Sequence, residues 1–512
     1  MKRREFITTT AASAIGLMLR RVTSAAVPTE RGAADSPKPE NRPNILFIMT
    51  DQQHAGMISC TPNIWLKTPA LDRLAASGVR FERAYACNPV CVPNRFSLQT
   101  GLMPSAVGLG QNSDSRRATV TDAMIQQSLG QLFQQAGYET VYGGKVHLPR
   151  KMNNVQNLGY RNLTSDRRQG LADACAKFIK SKHTRPFLLF ASFINPHDIC
   201  YMAINDFNRA NARPPRDNMD SKICEAVLDR ARKTGDIGTF VETNCPHLPA
   251  NHEVPEAEPE CITQKYLNAR PFRAYVRQKW TQNQWRLHRW AYCRLTEMVD
   301  REIAVVLDAL REAGLEDNTL IVFTSDHGDM DSAHKLEHKS VLYEESVHVP
   351  FIMSYRPEIA EGVVDDTHLV SNGLDLLPTL CDYAGIEVPQ RLHGRSLRAL
   401  AAGRNIQQWR DFVVSESQNG RMLRTDRFKY CIYDAGKHRE QLIDLKLDPG
   451  EMKNLAEFKD YKDVLHTHRQ LLQGWVEKTS DTIAAEYVHA NPKDSVLLKS
   501  IAMTKRRIER IA

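Results

Sequence analysis

Short apolar runs alternate along this chain with longer amphipathic stretches, and several of the apolar runs end abruptly in polar side chains. Asn44-Ile45-Leu46-Phe47-Ile48-Met49 has strand length and stops at Thr50-Asp51-Gln52-Gln53. A run without polar alternation fits a strand buried on both faces, as in an α/β sheet. Pro69 to Ser77 has helical spacing and stops at Gly78, and Val79-Arg80-Phe81 reads as the strand that follows. Residues 121–136 predict a helix ended by Gly137, with Tyr138 to Gly143 as the next strand. Pro186 to Phe193 predicts another buried strand, ending at Asn195-Pro196-His197-Asp198. A long helix is expected from about Trp285 to Ala313, before Gly314. Thr319 to Thr324 is a further apolar strand, and it gives way to Ser325-Asp326-His327-Gly328-Asp329. The recurrence of strand, polar tip and helix predicts an α/β sandwich: a large central mixed sheet flanked by helices, with its chemistry along the edge where the strands end.

Two segments depart from this rhythm. Residues 199–284 carry several prolines, four cysteines, many charges and little periodicity, so they are expected to form an insertion that shapes a pocket next to His197. After about residue 400 the pattern becomes that of an antiparallel sheet, with strands at Phe412–Ser417, Phe428–Tyr433 and Gln441–Leu445. A turn signal, Asp448-Pro449-Gly450-Glu451, comes next, and then an amphipathic helix over 461–478. The expected organisation is a large domain over 43–400 and a small α+β subdomain over 401–512.

Charge and cysteine usage narrow the picture. The formal charge of +8 over 512 residues is partly terminal. Residues 1–26 hold five basic and one acidic residue, and removing them leaves 63 basic against 59 acidic. No basic run with interleaved aromatics is present, which argues against nucleic-acid binding. Lys2-Arg3-Arg4-Glu5-Phe6-Ile7 matches the twin-arginine export pattern, followed by a mildly apolar stretch and small residues at Ser24-Ala25-Ala26. Residues 1–26 therefore read as a signal peptide, 27–42 as a linker, and the mature chain as periplasmic or secreted through the twin-arginine (Tat) translocase. The apolar stretch is too short to act as a stable membrane anchor. The eleven cysteines include no C-x-x-C pair, which disfavours a zinc cluster and leaves any disulfide pairing open.

The densest motif is Cys91-Val92-Pro93-Asn94-Arg95, continued by Ser97, Leu98, Thr100 and Gly101. It reads C-x-P-x-R-x-S-L-x-T-G and resembles the signature of the type I, formylglycine-dependent sulfatases of the alkaline-phosphatase-like superfamily. Asp51-Gln52, Gly144-Lys145-Val146-His147, Asp326-His327-Gly328 and Glu337-His338-Lys339-Ser340 resemble further motifs of that family, in family order. Asp444 to Leu455 is similar to the D-L-x-x-D-P-x-E-x-x-N-L stretch of its small C-terminal subdomain. The likeness covers residues 43–480 and is weakest in 199–284.

The resemblance implies a site. Cys91 would be oxidised to formylglycine by a maturation enzyme, and Asp51, Gln52, Asp326, His327 and the residue at 91 would hold one divalent cation. Oxygen-rich ligands favour calcium. Gln52 stands where many relatives have an acid and His327 where an Asn is common, so magnesium or manganese stays open. Arg95, Lys145 and Lys339 would supply fixed positive charge. His197 would protonate the leaving oxygen and His147 would take the second proton. Blander readings stand beside these. The alternatives are Cys91 as a buried thiol, Asp51 and Asp326 as helix caps, His147 and His197 as core histidines, and the two lysines as surface residues, and the motif context disfavours each. Asn195 and Asp198 either orient His197 or form its turn, and His334 and His338 line or flank the pocket. Trp280, Trp285 and Trp290 read as core packing or as a sugar platform. The functional expectation is a sulfuric ester hydrolase acting on a sulfated small molecule or glycan, a carbohydrate sulfate first. A phosphonate monoester or phosphodiester hydrolase of the same superfamily is the alternative, since such relatives also use Asp-Gln and Asp-His pairs. A non-catalytic binder of sulfated glycans is a third reading.

Overall fold

The computed structural model describes residues 42–489. The signal reading on 1–26 and nearly all of the linker reading on 27–42 lie outside the described residues. In chain order the strands are β1 (Asn44–Asp51), β2 (Val79–Phe81), β3 (Ala84–Tyr85), β4 (Glu139–Gly144), β5 (Arg161–Thr164), β6 (Phe187–Pro196), β7 (Thr319–Ser325), β8 (Phe351–Ser354), β9 (Val363–Asp365) and β10 (Val370–Ser371). Four more close the chain: β11 (Val413–Ser417), β12 (Gly420–Arg424), β13 (Phe428–Tyr433) and β14 (Glu440–Asp444).

Eight strands form the central sheet in the order β5-β4-β6-β1-β7-β8-β2-β9, while β3 and β10 pair separately. The β5-β4-β6-β1-β7 half is parallel throughout, and β8 runs antiparallel to its two neighbours. The apolar runs are explained by burial on both faces. Ile45, Phe47 and Met49 of β1 enter one core with Val92, Phe96 and Leu98 of the helix Cys91–Thr100. Leu46 and Ile48 enter the opposite core, against the helices Gln169–Ile179 and Gln282–Glu312. Each fully buried Leu, Ile or Phe contributes roughly 1.5–3 kcal/mol relative to exposure, so both faces hold β1 in place.

Three local expectations change. The helix expected over 121–136 is two helices, Asp122–Gln126 and Leu129–Gln135, because Ser128 adopts an extended backbone and starts the second. The long helix begins at Gln282, three residues before Trp285, where Thr281 and Gln284 form a reciprocal capping box. Residues 199–284 are largely helical, with α-helices at Cys200–Ala210, Met219–Arg232, Ile237–Asn244 and Pro271–Lys279. Asn218 and Asp236 cap two of them by accepting from backbone N–H groups. They close a core of their own around Trp280, Trp285 and Trp290, which are 7%, 1% and 5% exposed and so pack rather than present a sugar platform.

β11 to β14 form a four-stranded antiparallel sheet covered by the helix Lys462–Thr479. Cys87 and Met103, either side of the Cys91 helix, belong to the same core as Leu465, Leu472 and Val476 of that helix. The Glu416 N–H also donates to the Cys87 carbonyl at 2.7 Å, so the small sheet is sewn to the segment leading into Cys91. No helix among the described residues is long and apolar enough to cross a membrane.

Gly144 closes β4 with φ +94°, and a Cβ there would lie 2.1 Å from the Ser192 carbonyl oxygen of β6. Gly144→Ala should therefore lose at least about 2 kcal/mol of stability through strain and backbone clash. A urea-denaturation midpoint equal to that of the parent chain would show that β4 and β6 separate without cost.

Candidate active site

Four neighbouring strands, β4, β6, β1 and β7, end on the same edge of the sheet. Lys145 and His197 directly follow β4 and β6, Asp51 is the last residue of β1, and Asp326 directly follows β7. This is where parallel sheets gather ligand-binding groups. The helix Cys91–Thr100 arrives at that edge with Cys91 as its first residue, and all ten of its residues are buried. Cys91 thus sits where a helix terminus favours negative charge.

Arg95, one turn into that helix, joins the strands. Its Nη2 donates to Asp51 Oδ2 at 2.8 Å and its Nε to Asp326 Oδ2 at 2.7 Å. Nη1 donates to the Lys145 carbonyl and to Ser192 Oγ, both at 2.8 Å. Asp51 Oδ2 also accepts from Lys145 Nζ at 2.6 Å. The Oδ2 atoms are therefore committed to cations, which leaves the Oδ1 atoms facing a common interior point. His327 Nε2 lies 3.9 Å from Asp51 Oδ1 and 3.5 Å from Asp326 Oδ1. Cys91 Sγ lies 3.1 Å from His327 Nε2 and 3.8 Å from Asp51 Oδ1. One ligand atom from each of Asp51, Cys91, Asp326 and His327 falls within 4.8 Å of every other. His327 Nδ1 lies 2.8 Å from the Gly328 carbonyl and donates to it, which turns the lone pair of Nε2 toward the cluster. Two inward-facing carboxylate oxygens, neither hydrogen-bonded to a cation, and an oriented imidazole nitrogen suit a divalent cation.

Lys339 comes from a loop far along the chain and donates to Cys91 Sγ at 3.2 Å and to Gln52 Oε1 at 2.7 Å. Gln52 holds a left-handed backbone (φ +68°), with its N–H on Asp326 Oδ1 and its carbonyl accepting from Tyr292. Strain of this kind persists where the surroundings enforce it, often at functional sites. The Gln52 amide also donates to Asp329 Oδ2 at 2.6 Å. His197 faces Asp51 and Cys91 without hydrogen-bonding to them, and the Nδ1 atoms of His197 and His147 are both buried with no hydrogen-bond partner.

The electrostatics are uneven. Burial pushes the Asp51 carboxyl up, but Lys145, His197, Lys339 and Arg95 together hold it well below the usual carboxylate range. Asp326 is raised, by burial and by the Asp51 charge. Burial and Asp51 oppose ionisation of Cys91, yet Lys339, Lys145 and His327 bring its thiol well below the ordinary range. His197 is pushed well below the imidazole value by burial, then by Lys145 and Lys339. Three fixed cations against two carboxylates make this a site for an anion.

Sequence reasoning missed Ser192, which accepts no attention as a motif but fixes Arg95, and gave Asp329 no role although it sits in the Ser325–Asp329 tip. It also missed Arg168 and Asp220. Arg168 donates to Asp198 at 2.6 Å and to Asp220 at 2.8 Å, beside His197. No local signal marks such partners, because they meet only through the fold.

The family model for sulfatases matches residues 43–386. The chain belongs to the sulfatase family. Its activity is that of a sulfuric ester hydrolase. A second model, the C-terminal region of N-sulphoglucosamine sulphohydrolase, matches residues 332–478. A Delta 4,5-hexuronate-2-O-sulfatase of Bacteroides thetaiotaomicron is 29% identical over 478 residues, covering 89% of this chain and 93% of that protein. Among solved structures, a 2-O GAG sulfatase superposes with a TM-score of 0.69 at 28% identity, covering 88% of this chain and 96% of that one. The phosphonate monoester hydrolase of Agrobacterium radiobacter shares the fold, with a TM-score of 0.65 at 21% identity over 85% of this chain and 96% of that one.

Removing Arg95 leaves Asp326 buried without its guanidinium and Asp51 hydrogen-bonded to Lys145 alone among the cations. Arg95→Ala should lose roughly 3–5 kcal/mol, read as a fall in the urea midpoint with chelator present so that bound metal does not mask the loss. Arg95→Lys should recover only part of it, because an ammonium lacks the planar fork.

Proposed function

We propose that this sulfatase cleaves a sulfate ester on a carbohydrate, with Cys91 converted to formylglycine and one divalent cation held by Asp51, Asp326, His327 and the residue at 91, Gln52 standing at its margin. Calcium is the first choice for that cation, with magnesium or manganese next. The observation that carries the reading is the convergence of Cys91 Sγ with the inward-facing oxygens of two carboxylates and His327 Nε2 beneath fixed cations. When bound, the cation withdraws charge from the sulfuryl oxygens and acidifies a hydroxyl at position 91. Formylglycine at 91 would supply a hydrated aldehyde with two hydroxyls on one carbon, one to serve as nucleophile toward sulfur and one whose proton loss would re-form the aldehyde as the carbon–oxygen bond to sulfate breaks.

The chain's own side chains do the rest. Lys145 and Lys339 hold the sulfuryl oxygens against the nucleophile. Arg95 is a positioning residue: all three of its guanidinium nitrogens are bonded to protein, and it is 2% exposed. His197 donates a proton to the leaving oxygen, and an arriving sulfate offsets the lysine charges that keep the imidazole neutral. His147, two residues beyond Lys145, accepts the proton released as sulfate departs. The Lys2–Ile7 pattern supports twin-arginine export, which carries folded proteins.

The two 2-O-sulfatase relatives make a 2-O-sulfated hexuronate of a glycosaminoglycan the substrate class to test first. Sulfate release from defined sulfated mono- and disaccharides should be fastest with that class. A larger kcat/KM on an aryl phosphonate than on any sulfate ester would overturn the reading in favour of phosphonate hydrolysis. Mass spectrometry of the Cys91 peptide from the native host should show the aldehyde; an unmodified thiol in active protein would remove formylglycine from the mechanism.

The acid role of His197 has a pH signature. Protonated imidazole is the donor, and its pKa in the free site lies well below 6.5. kcat/KM on a sugar sulfate should therefore fall with rising pH, beginning below that value. His197→Gln should abolish this limb and cost roughly 10²–10⁴-fold on the sugar sulfate. It should spare an aryl sulfate whose leaving group needs no proton. Equal losses on both esters would assign His197 another task.

A further inference from the structure

A second cluster of metal-binding side chains lies outside the sulfate site. His334 belongs to the loop that leads to Lys339, Glu345 to the short helix Glu344–Val347, and Glu451 to the turn after β14. One ligand atom from each falls within 4.8 Å of the other two. His334 is 0% exposed, and neither of its ring nitrogens has a hydrogen-bond partner. A buried neutral imidazole must leave one N–H and one lone pair somewhere, and two unanswered nitrogens are costly. Glu345 Oε2 is likewise buried without a partner, while its Oε1 accepts from Asn251 Nδ2 at 2.8 Å. The ring is fixed in place by stacking on Tyr343, with centroids 4.0 Å apart, and its own backbone N–H is on the Asn251 carbonyl at 2.7 Å.

The charges around the cluster do not balance. Glu344, Glu345 and Glu451 share one buried ammonium, Lys429, which lies 3.0 Å from Glu344 Oε1 and 2.8 Å from Glu451 Oε1. Glu344 is also faced by His348 and Arg424, and burial beside Glu344 and Glu345 pushes Glu451 up to about 8, so Glu345 is the carboxylate with no cation of its own among the described residues. Arg277 nearby is occupied by Glu258 at 2.7 Å.

We infer that His334, Glu345 and Glu451 bind a divalent transition-metal ion of the zinc or manganese kind, as a site separate from the sulfate-cleaving centre. One imidazole nitrogen with two carboxylates suits those ions better than calcium, which prefers oxygen alone. The ion joins three segments distant in sequence and ties the Lys339 loop to the antiparallel sheet. It stands away from Cys91 and takes no part in bond cleavage.

The test compares the full chain with His334→Gln and Glu451→Gln, each stripped with chelator, reloaded with Zn2+ and dialysed. Metal per chain should be one equivalent lower in each variant than in the parent. Co2+ loading should give the parent a stronger visible absorption than either variant, in which only the Asp51, Asp326 and His327 centre remains to bind it. Equal zinc content in all three proteins overturns the inference. Crystals of the parent soaked in Zn2+ give an independent answer that needs no folded variant. An anomalous peak between His334, Glu345 and Glu451 supports the site, and its absence at full soaking overturns it.

Discussion

The buried guanidinium of Arg95 is the interaction on which the rest of this site rests. Asp51 and Asp326 come from adjacent strands, fully buried, with their carboxylates turned toward one another. Two such charges in a poorly polarisable interior repel by several kcal/mol unless something stands between them. A planar fork bonded to both, through Nη2 and Nε, does this and fixes their rotation as well. Because the fork grows from the helix that begins at Cys91, the same contact places Cys91 against the strand ends. Cys91 and the two carboxylates are thus located by one side chain.

The division of labour within each carboxylate follows from that contact. With the Oδ2 atoms taken by Arg95 and Lys145, the Oδ1 atoms are left to face His327 and Cys91. The two aspartates then behave differently despite their shared setting. Asp51 is surrounded by three fixed cations, Lys145, Lys339 and Arg95, and keeps its charge, whereas burial and the Asp51 charge make Asp326 hold its proton more readily.

Much of this was legible in the sequence, for a physical reason. Strands buried on both faces have no polar alternation, so β1, β6 and β7 appear as apolar runs and their tips, Asp51, His197 and Asp326, stand out at the ends. Cys91, Arg95 and Lys145 could be named because their spacing is tied to one helix and one turn. The insertion was not legible. Its helices are short, start at isolated caps such as Asn218 and Asp236, and are separated by prolines, so no window shows a sustained period. The split at Ser128 was hidden because an N-cap serine inside an amphipathic stretch looks like an ordinary surface residue. Ser192 and Asp220 became visible only as partners of Arg95 and Arg168, through contacts that no local pattern encodes.

The distances along the chain between the members of this site carry a consequence for its biogenesis. Cys91 meets His327 and Lys339 across 236 and 248 residues. During synthesis, Cys91 therefore leaves the ribosome long before the residues that will enclose it exist. Chain growth at roughly 5–20 residues per second makes that interval on the order of ten seconds or more. Once β7 docks beside β1, the helix Cys91–Thr100 is sealed. The sheet order thus works as a clock, and the arrival of β7 and the Lys339 loop sets the last moment at which another enzyme can reach residue 91.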